Sequence, residues 1–359
     1  MTASVHRPVS TIATSRPTSR LTARLPPPRL SAVRTAVDRP MVIAHRGASG
    51  YRPEHTMAAY ELALALGADA LEVDVVPTRD GVLVCRHEPD LGVSTDIADH
   101  PHLAERRRTR DGVAGWFVDD FTSAELQQLR CRETLPRLRA DNTRYDDWFP
   151  VPTLAQVLDL VEAESQARGE VVGLFVETKE PTAFAARGLP VEPLVTAELA
   201  GRHLDRPNGP VVVQSFDAAH LRKLAAATSL PLVQLVGVSQ AQAPMLTAAG
   251  VREISTYADG VGLRKDLVLP RDATGRLAGG KQGAQLVDRA HSAGLRVSVW
   301  TLRDENAYLP LDLRTGSRAG TKGDAHTEVR LATAAGVDAV ITDHVDTSLE
   351  ALAAAGSGG

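Results

Sequence analysis

Residues 41–97 read MVIAHRGASGYRPEHTMAAYELALALGADALEVDVVPTRDGVLVCRHEPDLGVSTDI, and this stretch decides the fold. A short apolar run, Met41-Val42-Ile43-Ala44, stops on His45-Arg46-Gly47. A second, from Ala70 to Val75, carries Glu72 and Asp74 inside it, and a third, Val82 to Cys85, stops on His87-Glu88. Buried strands are expected to be apolar throughout, and a carboxylate within one costs free energy unless something pairs with it. Three consecutive strands that place ionisable groups near their C-terminal ends predict one shared site.

Outward from there, short β-branched runs alternate with stretches of helical periodicity. The runs lie at 42–45, 71–76, 82–87, 171–177, 211–214, 232–236, 295–301 and 338–342, with helical patterns at 56–66, 154–163, 191–199, 218–226, 283–293 and 325–335. Eight strands with helices between them predict a (β/α)8 TIM barrel over residues 41–352. A doubly wound open sheet is the alternative, but no Gly-rich phosphate loop follows the first strand. Residues of about 92–152 form a long insertion after strand 3. Loops of that length are functional or separately folded, so the insertion is read as a substrate cap, the competing reading being a structural shield over the barrel mouth. Cys85 falls inside a predicted strand and reads as a small core residue.

The bulk composition narrows the function classes. A formal net charge of -4 gives nucleic acid no basic face to bind. No apolar run reaches the roughly 18 residues of a membrane span, so no membrane insertion is expected. Two cysteines are too few for a disulfide framework. Residues 1–40 hold seven Arg, six Pro and one acidic residue, a composition that predicts a disordered extension. The missing apolar core of a secretory signal predicts a cytoplasmic location, and Met41 is an alternative natural start. Residues 353–359 read as a flexible tail.

The chemistry follows from spacing. Glu72 and Asp74 are two apart, so both side chains point to one face of a strand, in a barrel the interior. Two buried like charges at that distance are unfavourable alone. A divalent cation held by oxygen ligands, Mg²⁺ or Ca²⁺, relieves them. Glu177 repeats the pattern as a third ligand; Lys179, two residues on, either neutralises an anionic ligand or simply pairs with Glu177. His45 and His87 flank the carboxylates and suit general acid and base roles near neutral pH. Arg46 offers a planar donor fork suited to phosphate. Cation, Arg, Lys and two His together point to metal-assisted cleavage of a phosphoester.

The string from His45 to Glu88, with Val176-Glu177-Thr178-Lys179, Gln214-Ser215-Phe216, Val299-Trp300-Thr301 and 338–343, closely resembles the glycerophosphodiester phosphodiesterases, in particular their long bacterial branch. The resemblance implies a barrel that hydrolyses a small-molecule glycerophosphodiester to glycerol 3-phosphate and an alcohol. It implies Glu72, Asp74, Glu177 and nearby Glu54 as metal ligands, and His45 and His87 as the acid/base pair. Arg46 and Lys179 would hold phosphate, with Trp300 packing on the glycerol or lining the mouth and Gln214 as a further polar contact. His55 stands where many members carry Asn and marks the branch. The branch is usually periplasmic or extracellular, against the cytoplasmic expectation. The alternatives are a phospholipase-D-like activity on lysophospholipids and a catalytically silent phosphodiester-binding barrel.

Overall fold

A computed structural model describes residues 39–207 and 209–356; the first 38 residues of the extension predicted at 1–40 and the last three residues of the predicted tail lie outside the described residues. Eight parallel strands close into a barrel: β1 (Met41–His45), β2 (Ala70–Pro77), β6 (Gly173–Thr178), β7 (Val211–Ser215), β8 (Leu232–Val236), β9 (Gly260–Arg264), β10 (Arg296–Leu302) and β11 (Ala339–Thr342). The ring closes where β1 pairs with both β11 and β2. Three further strands stand outside it. β3 (Leu83–Cys85) folds back antiparallel on the end of β2, and β4 (Arg108–Arg110) pairs with β5 (Val113–Gly115) as a ribbon within the insertion.

Two strand assignments therefore change. The run at 82–87 is not a wall of the barrel but a hairpin return, and the eighth wall is β9. Gly260-Val261-Gly262-Leu263-Arg264 carries too little β-branched surface to read as a strand. Its glycines have a packing reason: a Cβ on Gly262 would sit 2.6 Å from Leu235 Cδ2 and 3.5 Å from Trp300 Cδ1. The last helix, Val345–Gly356, also takes in the first residues of the expected tail. No helix among the described residues is long and apolar enough to cross a membrane.

Strand alternation builds two cores. One set of side chains packs outward against the helices in the large cluster that includes Val42, Leu71, Val73, Val176 and Val213. The other points into the barrel, where Ile43, Ala70, Phe175, Val212, Leu235 and Ile341 form an apolar plug. Two residues beyond these plug positions, on the same face, stand His45, Glu72, Glu177, Gln214 and Asp343. The sequence thus lays a dry floor and sets a polar layer on top of it, at the C-terminal ends where barrel enzymes carry their chemistry.

The insertion joins the same core through Val118, Phe121, Leu126 and Leu129. Its ribbon is exposed along Arg108, Thr109 and Val113.

Candidate active site

Register assembles the acidic cluster. Asp74 on β2 pairs with Glu177 on β6, and Glu177 with Gln214 on β7, so these side chains stand side by side. With Glu72 two residues before Asp74, ligand atoms of Glu72, Asp74 and Glu177 lie within 4.8 Å of one another, all three residues buried. Burial and the neighbouring charges of Asp74 and Glu177 hold the Glu72 carboxyl well above the usual carboxylate range. Burial, opposed by Lys179 and reinforced by Asp74, raises Glu177 to about 7. Asp74 goes the other way: burial opposes ionisation, but Lys179, Arg46 and His55 outweigh it and hold the carboxyl well below its ordinary range. Two carboxyls pushed up by buried like charge are the donor set a hard divalent cation relieves, so the residues present fit one.

The cationic partners come from loops bent to reach the cluster. Arg46 has φ 59° and Gly47 φ 83°, both left-handed. At Gly47 a Cβ would meet the Ala59 carbonyl carbon at 2.6 Å, so only glycine lets helix 57–65 approach this turn. The turn directs the Arg46 N–H to Glu72 Oε2 at 3.1 Å and its guanidinium to Glu54 Oε2 at 2.9 Å. Arg46 Nε lies 3.0 Å from Asp74 Oδ2, an ion pair without the alignment of a hydrogen bond. Lys179 Nζ donates to Glu177 Oε1 at 2.7 Å and stands 3.7 Å from Asp74 Oδ1. Glu54 lies outside the trio: its contacts are Arg46 and the Thr134 hydroxyl, and despite burial Arg46, His55 and His87 draw its carboxyl down to about 2. His55 is buried between Tyr60 Oη at 2.7 Å and Asp74 Oδ2 at 2.9 Å, a support for the cluster that spacing did not reveal.

The two histidines differ. His45 ends β1 and its Nδ1 is 2.6 Å from Asp343 Oδ1. Burial first, then Arg46, lowers it to about 4, against the pull of Asp343. It is neutral at pH 7, and next to an ionised carboxylate its proton belongs on Nδ1, which leaves Nε2 as a lone-pair acceptor. Asp343 stays ionised although buried, because Arg303, Arg139 and His45 surround it. Arg303 Nε donates to Asp343 Oδ2 at 2.7 Å and Arg139 Nη2 to the same oxygen at 2.5 Å, while Arg139 Nε reaches Glu305 at 2.6 Å. His87 sits just past the hairpin strand β3, about a third exposed, with Nδ1 2.5 Å from Glu88 Oε1.

A cavity of about 310 Å³ gathers His45, Arg46, Glu72, His87, Glu177 and Lys179, together with Gln214 and Trp300. Eight of the ten predicted residues therefore line one space; Asp74 sits just behind it in the acidic trio, and Glu54 behind Arg46. Gln214 Nε2 donates to Glu72 Oε1 at 3.3 Å, and Trp300 Nε1 to the Gly262 carbonyl at 2.9 Å, its ring edge-on to Phe216. None of the residues lining this cavity comes from 92–152, the stretch read as a substrate cap. It works from behind, through Arg139 on Asp343 and Thr134 on Glu54.

The family profile described as glycerophosphoryl diester phosphodiesterase matches residues 45–347. The chain belongs to this family. It is 31% identical to a glycerophosphodiester phosphodiesterase of Arabidopsis thaliana over 298 residues, covering 76% of this chain and 77% of the relative. It is 33% identical to a glycerophosphodiester phosphodiesterase of Bacillus subtilis, over 63% of this chain and 68% of that one. Among solved structures, an Oleispira antarctica phosphodiesterase in complex with the product sn-glycerol-3-phosphate shares the fold, with a TM-score of 0.58 and 20% identity over 88% of this chain and 97% of that one. The chain is an enzyme, a phosphodiesterase on a TIM barrel.

Proposed function

We propose that this phosphodiesterase hydrolyses glycerophosphodiesters to glycerol 3-phosphate and an alcohol, using one divalent cation, Ca²⁺ or Mg²⁺, and two histidines. The observation that carries the reading is the shared cavity: Glu72 and Glu177 of the acidic trio, two cations suited to phosphate and two histidines line one space, with Asp74 just behind it. Glu72, Asp74 and Glu177 would hold the cation, which supplies positive charge to a phosphate oxygen. Arg46 and Lys179 bind the remaining phosphate charge, and Glu54 orients Arg46. Neutral His45 takes the proton of the attacking water on Nε2, while Asp343 keeps the ring's tautomer and offsets the charge it gains. His87, backed by Glu88, gives a proton to the departing alkoxide. Trp300 and Phe216 line the glycerol-sized space beside Gln214.

Release of glycerol 3-phosphate from glycerophosphocholine, first with chelator and then with Mg²⁺ or Ca²⁺ added, tests this. Cation-dependent release is expected. Release that chelation leaves untouched would remove the metal from the reading; choline release from lysophosphatidylcholine, with glycerophosphocholine left uncleaved, would replace it with the lipid-directed activity.

A further inference from the structure

The cavity wall across the barrel from the acidic trio is formed at the ends of β9 and β10 by Arg264, Lys265, Asp266, Arg271, Arg303 and Tyr308; of these only Arg303, through Asp343, supports the bond cleavage. Its charges do not cancel. Lys265 is closed off, with Nζ 2.8 Å from both oxygens of buried Glu328. Arg303 belongs to Asp343. Arg264 and Arg271 share a single carboxylate: Arg264 Nε is 2.8 Å from Asp266 Oδ2, and Arg271 Nε is 3.2 Å from Oδ1. Two guanidiniums on one carboxylate leave one positive charge over. Arg271 spends an Nη on the Tyr308 carbonyl at 2.5 Å. The Arg264 side chain is 48% exposed, and among the described residues no acceptor is bonded to either of its Nη atoms.

The wall also offers a cationic head group little. Aromatic faces are what recognise a quaternary ammonium; of the Phe, Tyr and Trp rings lining the cavity, Phe216 has Lys179 Nζ 5.9 Å from its centre, Tyr308 has the Arg303 guanidinium at 4.4 Å, and Trp300 belongs to the glycerol side. The one carboxylate of the wall lies between two arginines.

We propose that this wall is a head-group subsite for a phosphate monoester carried by the alcohol part of the diester, held by the free donor fork of Arg264 with Arg271 beside it. The inference rests on the phosphodiesterase reading above. A planar guanidinium with unused Nη groups matches two phosphate oxygens at once, and the half-open rim lets a polar head group keep part of its water.

The test compares kcat/KM of the full chain, loaded with its cation, on glycerophosphoinositol and glycerophosphoinositol 4-phosphate, a pair that differs by one phosphate, with glycerophosphocholine beside them. The phosphorylated diester is expected to be favoured roughly tenfold at low salt, with the choline diester slowest. Salt of about 0.5 M should shrink the wild-type preference. Arg264→Glu should abolish or invert it, and Arg264→Gln, which keeps a polar chain at the same place, covers the case in which charge reversal unfolds the protein. Cleavage of glycerophosphoinositol with no gain from the added phosphate overturns the subsite and leaves the phosphodiesterase standing. A preference that survives both substitutions overturns the role of Arg264. Failure to cleave any of the three overturns the phosphodiesterase reading and the subsite with it.

Discussion

The barrel strands and the loops just beyond them line the whole cavity, whereas residues 92–152 line none of it and still grip two of the residues that matter most. Arg139 from the insertion bonds Asp343, which holds His45, and Thr134 bonds Glu54, which holds Arg46. The barrel supplies reagents, and the insertion fixes where they point. Substitutions on the two sides should therefore differ in kind: barrel residues change the chemistry, insertion residues change how well it is aimed.

The largest effect belongs to the barrel. His45→Ala should lower kcat about a thousandfold, the span of a general base, with the thermal midpoint near wild type; a rate within tenfold of wild type would assign the base elsewhere. Glu177→Gln should weaken cation binding about a hundredfold in calorimetry. The same variant carries a pH signature. Burial raises the Glu177 carboxyl from 4.5 to about 7, so the folded protein binds its proton more tightly than the unfolded chain. In cation-free protein the wild type should therefore lose up to about 3 kcal/mol relative to Glu177→Gln as pH rises from 4.5 through 7, most of it regained on adding cation. Equal pH dependence of the two proteins would deny the strain in the trio.

The insertion's effects should be smaller in rate. Arg139→Met leaves Asp343 and Glu305 buried without their shared cation. The expected cost is about 3 kcal/mol in urea unfolding and roughly a tenfold fall in kcat with KM little changed. Loss in KM alone would make the insertion a substrate contact after all. Thr134→Val removes one neutral donor to a carboxylate, worth about 1 kcal/mol, and should shift the apparent phosphate affinity by only a few fold.

Legibility in the sequence follows the same division. β1 and β2 announce themselves, because an ionisable group inside an apolar run of period two has few readings other than a site. Glu177 and Gln214 follow from the same rule, and Asp343 obeys it too: it ends the run Ala339-Val340-Ile341-Thr342 as His45 ends the first, so its place behind His45 was available to that rule. β9 escaped because its glycines make room for neighbours on β8 and β10, Leu235 against Gly262 and the Arg296 carbonyl against Gly260, which only the folded barrel explains. The hairpin return of β3 carries as much β-branched character as a barrel wall, and nothing local in 82–87 separates an antiparallel partner from a parallel one. Arg139 was beyond reach: in a stretch of short turns without periodicity, its partners lie at Ser49, Glu305 and Asp343, far away in the chain.

The bond between His45 and Asp343 joins residues 298 positions apart, nearly the two ends of the described chain. A polypeptide still emerging from the ribosome would already own His45 and all three carboxylates of the cluster, yet would lack Asp343, which follows β11 and anchors that histidine. Such a chain holds the reagents of the site without the carboxylate that fixes its base. The strand that closes the ring onto β1 thus also delivers the partner of His45, so closure of the barrel and the aim of its base are completed by the same stretch of chain.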